Sequence, residues 1–136
     1  MTMRMSCFLT VEQVLAETKT ATRRLATTWA RLKVGDELIL VEKAQGLKKG
    51  QQQRILKRVV ITGVDLVDLF TMTAADCAAE GFPTMEPADF IEWWLAEHKV
   101  TATTFASRWL GLRPSYDVRL ITWRYLPPLS SELLAT

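Results

Sequence analysis

The chain is short of the residues that hold metals or staple loops. Its 136 residues include one histidine, His98, and two cysteines, Cys7 and Cys77, far apart in sequence. These make no zinc-ligand spacing, so no metal and no cofactor is expected. Two buried free thiols, as in a cytosolic protein, are the favoured reading of the cysteines. Long apolar runs are missing too: no window approaches the roughly 20 apolar residues that cross a bilayer. Met1-Thr2-Met3-Arg4 opens without the apolar stretch of a secretory leader, which makes the cytoplasm the expected location. Internal repeats and a βαβ rhythm are absent.

Positive charge is absent from one long stretch. Between Asp65 and Glu97 there are eight acids and no Lys or Arg. Residues 1–64 carry 12 Lys and Arg against 5 Asp and Glu, a net of +7. Residues 65–136 carry 5 against 10, a net of −5, so the whole chain comes to +2. Such a split raises the question of nucleic-acid binding. It is equally met if the two halves neutralise each other across one fold. With 49% apolar and 24% charged residues, and five Trp and five Phe, the chain has the means to build a core.

What is present in abundance is hydrogen-bond donors in one short stretch. Thr18-Lys19-Thr20-Ala21-Thr22-Arg23-Arg24 holds one amine, three hydroxyls and two guanidiniums, with no acid. In a regular strand Thr18, Thr20 and Thr22 share one face and Lys19 points to the other. For Lys19 and Thr22 to act together, the chain must turn or bulge between them.

Around this stretch the elements read as follows. Met3 to Leu9 is β-compatible. Thr10-Val11-Glu12-Gln13 reads as a capping box ahead of a short helix lined by Val11, Val14 and Leu15. Arg23 to Lys33 reads as a connector or second short helix containing Trp29. A turn at Val34-Gly35-Asp36 leads into a strand, Glu37 to Glu42. Lys43 to Arg58 is a basic loop with Lys43, Lys48, Lys49, Arg54, Lys57 and Arg58 and no acid. It is suited to phosphate contact or, more blandly, to solvent. Ile55 to Val64 is a β-branched strand with Gly63 as a candidate bulge, and Val64 to Phe70 extends it or turns away.

Thr73-Ala74-Ala75-Asp76 opens a helix with a Thr/acid box, and Gly81 ends it. Glu86-Pro87 starts another, with Pro at its first position. There Phe90, Ile91, Trp94 and Leu95 share a stripe, while Glu92, Glu97 and His98 are wetter. His98 reads as a helix-terminal cation. Thr101 to Pro114 reads as a loop with helical character around Phe105 and Trp109. In Val118 to Leu126, Val118, Leu120 and Thr122 alternate with Ile121, Trp123 and Tyr125. The expected fold class is α+β: a small mixed or antiparallel β-barrel with about three flanking helices.

Thr18 to Arg24 resembles the K-T-x-T-R signature that follows the first helix of ASCH domains, small modules of the PUA-like superfamily. Leu32 to Asp36 is similar to the family's hydrophobic-K-x-G-D approach to a barrel strand. Val41 to Gly50 resembles a segment of phage and prophage members. Asp76 to Pro83 resembles the family's acidic helix end, and Val118 to Leu126 its closing strand. The resemblance runs in order over residues 1–126, which it implies form one ASCH domain, with 127–136 as a tail.

The resemblance also implies chemistry. Some ASCH proteins hydrolyse the amide of N4-acetylcytidine, and their catalytic group resembles Lys19, Thr22 and Glu80 here. It implies Lys19 as base, Thr22 as nucleophile and Glu80 as proton donor to the departing amine. Those enzymes carry Gly where this chain has Glu17. Other members are associated with RNA binding or cleavage. Ligand contacts are expected from Thr20, Arg23 and Arg24, from Trp29 as a stacking ring, and from Lys43, Lys48 and Lys49. The implied partner is RNA, DNA or a modified nucleoside, with no membrane role. Three functions compete: a nucleotide-binding module, an N4-acylcytidine amidohydrolase, and an interaction protein using the acidic helices between Thr73 and His98.

Overall fold

The structure is a computed structural model that describes residues 3–43, 47–100 and 114–128. Five strands form one mixed sheet: β1 (Met3–Ser6), β2 (Ala21–Leu25), β3 (Glu37–Val41), β4 (Ile55–Asp68) and β5 (Asp117–Tyr125), in the order β1-β3-β4-β5-β2. Only β1 and β3 run parallel; the remaining neighbours are antiparallel. Three helices accompany them: α1 (Val11–Leu15), α2 (Ala74–Glu80) and α3 (Pro87–Glu97). This is the expected α+β architecture, with the mixed sheet curled into a half-barrel. Among the described residues no helix is long and apolar enough to cross a membrane.

The long β4 spans the sheet's centre, pairing with β3 through its first half and with β5 along most of its length. Its register shifts between Ile61 and Gly63, where the sequence placed a bulge. A side chain at Gly63 would put its Cβ 2.6 Å from Thr122 Oγ1, so the bulge residue has none. Val64 to Asp68 continues the strand rather than turning away.

Both faces of the sheet are covered. Met5, Leu38, Leu40, Val59, Ile61, Ile121 and Trp123 build one core. Val118 points to the other face, with Leu69, Cys77, Phe90 and Trp94. The alternation read along β5 is therefore real but serves two cores at once. Cys7 and Cys77 are buried free thiols, one in each.

Several local readings change. Arg23 and Arg24 lie in β2, not in a connector or helix. Their charge disguises a strand whose partners come from distant chain. Thr10 caps nothing with its side chain: it closes a 3₁₀ turn, Phe8–Thr10, and is buried with φ −129° and ψ 32°. The segment around Phe105 and Trp109 lies outside the described residues.

The second helix behaves as its sequence says. Thr73 accepts from the Asp76 amide while Asp76 accepts from the Thr73 amide, a complete capping box. Gly81 ends the helix with φ 104°. A Cβ there would sit 2.9 Å from Thr10 Cγ2, so Gly81 also lets the end of α2 rest directly on the start of α1. Both the left-handed backbone and the close approach oppose a side chain. Gly81→Ala is expected to cost about 1–3 kcal/mol in urea denaturation.

Candidate functional site

Because β1 and β2 are the two edges of a curled sheet, they face each other across a seam rather than pairing. Arg24 bridges it, donating from one guanidinium nitrogen to the Ser6 carbonyl at 2.9 Å. A cleft of about 440 Å³ occupies this seam. Lys19, Thr22, Arg23 and Arg24 line one side and Glu80 the end of α2. Ser6 to Thr10 line a second wall, and Phe82, Trp93, Trp94, Glu97 and His98 a third.

Lys19 precedes β2, and its main chain is clamped from three directions. The Thr18 and Lys19 amides donate to the Gln13 carbonyl of α1. The Lys19 carbonyl accepts from Trp123 Nε1 at 3.1 Å and from the Tyr125 hydroxyl of β5. The next residue ties in α2, the Thr20 amide donating to the Ala79 carbonyl at 2.8 Å. Regular strand begins only at Ala21, and this break in periodicity lets Lys19 and Thr22 line the same cleft. The helix signal ended early for a matching reason: Glu17 sits in the left-handed region, φ 61°, where a Gly would be at ease.

The Lys19 amine donates to the Glu80 main-chain carbonyl at the C-terminus of α2 and lies 5.9 Å over the Trp123 ring. A cation is favoured at this negative helix end. The Glu80 carboxylate accepts from Arg23 at 2.9 Å, and Asp76 lies 3.7 Å from the same guanidinium. These pairs join the basic half of the chain to the acidic half, so the charge split is met in part by internal neutralisation. Arg23 Nε is buried with no hydrogen-bond partner among the described residues, at a cost of about 1–3 kcal/mol. Thr22 Oγ1 accepts from Arg24 Nε at 3.3 Å, which leaves its own proton to give.

Lys19, Thr22, Arg23 and Glu80 are each at most 6% exposed. Burial pulls the Lys19 amine below the ordinary lysine value, opposed chiefly by Glu80. Burial also pushes the Glu80 carboxyl above the ordinary range, against the pull of Lys19 and Arg23. The Cys7 thiol is raised by burial despite Lys19 and Arg24 nearby. Tyr125, half-buried over the clamp, is pushed up to about 12, first by desolvation.

Of the residues expected to form the site, Lys19, Thr22, Glu80, Arg23 and Arg24 share the cleft. Thr20 has an exposed side chain and contributes through its backbone. Trp29 packs against the first core instead of lining the cleft. Lys43 is exposed, with its amine 5.9 Å over the Phe8 ring at the cleft. Lys48 and Lys49 are exposed and do not line it.

The aromatic wall escaped the sequence reading, which treated most tryptophans as core. Trp94 serves both purposes: it is 1% exposed, donates to the Arg23 carbonyl at 2.9 Å and still borders the cavity. His98 stacks on Trp94 at 3.8 Å, with Nδ1 2.9 Å from the Trp94 carbonyl. Burial lowers its pKa, which disfavours the helix-terminal cation its position implied. Phe82 and Trp93 were not among the residues expected to form the site; their adjacency to Gly81 and Trp94 was the one signal that could have pointed to them.

Solved structures show where this fold recurs. An ASCH domain from Lactobacillus crispatus matches with a TM-score of 0.52 at 17% identity, over 86% of this chain and 70% of that one. A protein from Enterococcus faecalis assigned to family-model DUF984 matches with a TM-score of 0.53 at 18% identity, over 85% of this chain and 66% of that one. At such identities the likeness is one of fold, and the fold is the one the K-T-x-T-R resemblance implied. No protein-family model and no curated protein matches the chain.

The lowered Lys19 pKa has a measurable consequence. The native protein releases this proton before the unfolded chain does. The group's contribution to stability therefore rises as pH climbs from the folded-state value toward about 10.4. Lys19→Met removes that rise. Urea titrations at successive pH values are expected to show wild type gaining on the variant toward alkaline pH. A pH-independent difference would contradict the burial described here.

Proposed function

We propose that the cleft binds a nucleoside, free or as one residue of a nucleic acid. The observation that carries this reading is the convergence of Lys19, Thr22, Arg24 and Glu80 on one cavity, opposite the rings of Phe82, Trp93 and Trp94. Its volume falls in the range of small-molecule sites. A flat heterocycle suits the aromatic wall. Its carbonyl and ring-nitrogen acceptors suit the amine and guanidinium donors, and an exocyclic amine suits Glu80. Phosphate is favoured by the excess of cations in the lining, Lys19, Arg23 and Arg24 against Glu80 and Glu97.

Calorimetric titration with cytidine, uridine, adenosine, guanosine and N4-acetylcytidine tests this reading. At least one ligand is expected to bind wild type. Arg24→Gln is expected to weaken that binding about 10- to 100-fold, the worth of a charge-assisted hydrogen bond. Failure of every ligand to bind removes the proposal.

A second reading is favoured by a specific observation: a buried amine of lowered pKa shares the cleft with an acid of raised pKa and with a hydroxyl that, among the described residues, accepts from Arg24. These are the properties an amidohydrolase acting on N4-acylated cytidine requires. Lys19 takes the Thr22 proton as Thr22 Oγ1 bonds to the acyl carbon. The carbon–nitrogen bond then breaks, and the nitrogen leaves with a proton from Glu80. Water afterwards releases the acyl group from Thr22 as a carboxylic acid. Acetate release from N4-acetylcytidine, followed by chromatography, is expected from wild type. Lys19→Met should slow it about 10²–10⁴-fold, and Thr22→Ala should abolish it. Binding without release by wild type would retain the first reading and dismiss the second.

A further inference from the structure

We infer that the 3₁₀ turn at the cleft's edge is a stacking platform for a second base, so that the ligand is a single-stranded oligonucleotide and not a free nucleoside. This rests on the nucleoside reading of the cleft. An exposed ring, under an exposed cation, borders the cavity that would hold the first base.

Phe8 is 60% exposed and its neighbour Leu9 56%, yet both line the cleft. Lone exposed apolar side chains are common; two adjacent ones at the border of a charged cavity are a patch with a position. The backbone holds the patch in place. The Cys7 amide donates to the Val41 carbonyl at 2.8 Å, and Ser6 Oγ donates to the Glu42 carbonyl at 3.2 Å. These bonds fix the turn beside the end of β3, where the basic segment begins. Lys43 leaves that point with its amine 5.9 Å from the Phe8 ring centre.

The charge pattern selects the occupant. The six cations of the basic segment divide into two groups. Arg54, Lys57 and Arg58 are each matched to an acid, Glu42, Glu17 and Glu37 in turn. Among the described residues Lys43, Lys48 and Lys49 have no ion pair, and all three are exposed. An apolar peptide would meet the unmatched Lys43 charge as it covered Phe8. A nucleic-acid strand offers a flat base to the ring and a phosphate to the amine in one unit, which is how sequence-tolerant single-strand binding is built. A strand with one base in the cleft therefore places its neighbour on Phe8 and the linking or next phosphate near Lys43.

Affinities for the four nucleosides and the four corresponding homotrinucleotides of RNA provide the test, each measured on wild type, Phe8→Ala, Phe8→Leu, Phe8→Trp and Lys43→Gln. For the base that the cleft accepts, the trinucleotide is expected to bind more tightly than the nucleoside. Phe8→Ala and Phe8→Leu should shrink that ratio about 5- to 100-fold, while Phe8→Trp keeps it. Lys43→Gln should reduce the salt slope of trinucleotide binding by about 0.7 and leave the nucleoside's response to salt as it was. A trinucleotide that binds wild type no better than its nucleoside overturns this inference alone. So does a ratio that Phe8→Ala leaves unchanged. Absence of any binding to wild type, by these ligands or by N4-acetylcytidine, overturns it together with the reading on which it rests.

Discussion

The structure depends on how one residue, Glu80, receives two cations. Its main-chain carbonyl takes the Lys19 amine and its carboxylate takes the Arg23 guanidinium. All three side chains are almost wholly removed from solvent. Taking each charge out of water costs several kcal/mol, and only good geometry offsets that cost. Much of the local architecture supplies the geometry. The complete capping box fixes the start of α2, Gly81 lets its end approach α1, and the Trp94 indole pins the Arg23 backbone. A helix C-terminus gives Lys19 a partner that stays in place whatever the protonation state of the carboxyl.

The seam between β1 and β2 turns this arrangement into a cavity. Full closure of the barrel would have paired the two edges and filled the space with backbone. A single guanidinium spans the gap instead, and the polar groups of β2 look into it beside Ser6 and Cys7. The helical layer supplies the third wall from residues that also belong to the second core, Phe82 and Trp93 among them. The rigidity of that wall comes from a three-ring cluster, in which Phe82, Phe90 and Trp93 meet at centroid distances of 5.3–5.8 Å. Such a cavity is shaped before any ligand arrives, which lowers the entropic cost of recognition.

Features set by local chemistry were legible in the sequence. Thr73 and Asp76, Gly81, Pro87 and the alternation along β5 all act through neighbours a few residues away. The donor-rich stretch could be singled out for the same reason: its composition is unusual on its own. What could not be read were properties set by distant partners. Arg23 and Arg24 read as ligand contacts until α2 and β1 are brought against them, where they also hold the fold together. Thr10 has the sequence of a cap, but its surroundings bury it against Gly81. His98 has the position of a cation, but burial against Trp94 lowers its pKa and disfavours the charge. The basic segment's division into matched and unmatched charges likewise requires the register of β3 on β4 and the approach of Glu17, just past α1, to Lys57.

The clamp on Lys19 also has a bearing on the order in which the molecule can mature. The carbonyl of this early residue is held by side chains 104 and 106 positions further along the chain. Contacts of such sequence separation form slowly, because a long loop must close before they repay the lost freedom. On a ribosome the donor-rich stretch would emerge well before the strand that fixes it. The cavity's chemistry is therefore a late product of biogenesis: until β5 docks, the nascent chain displays the charges of this site without their arrangement.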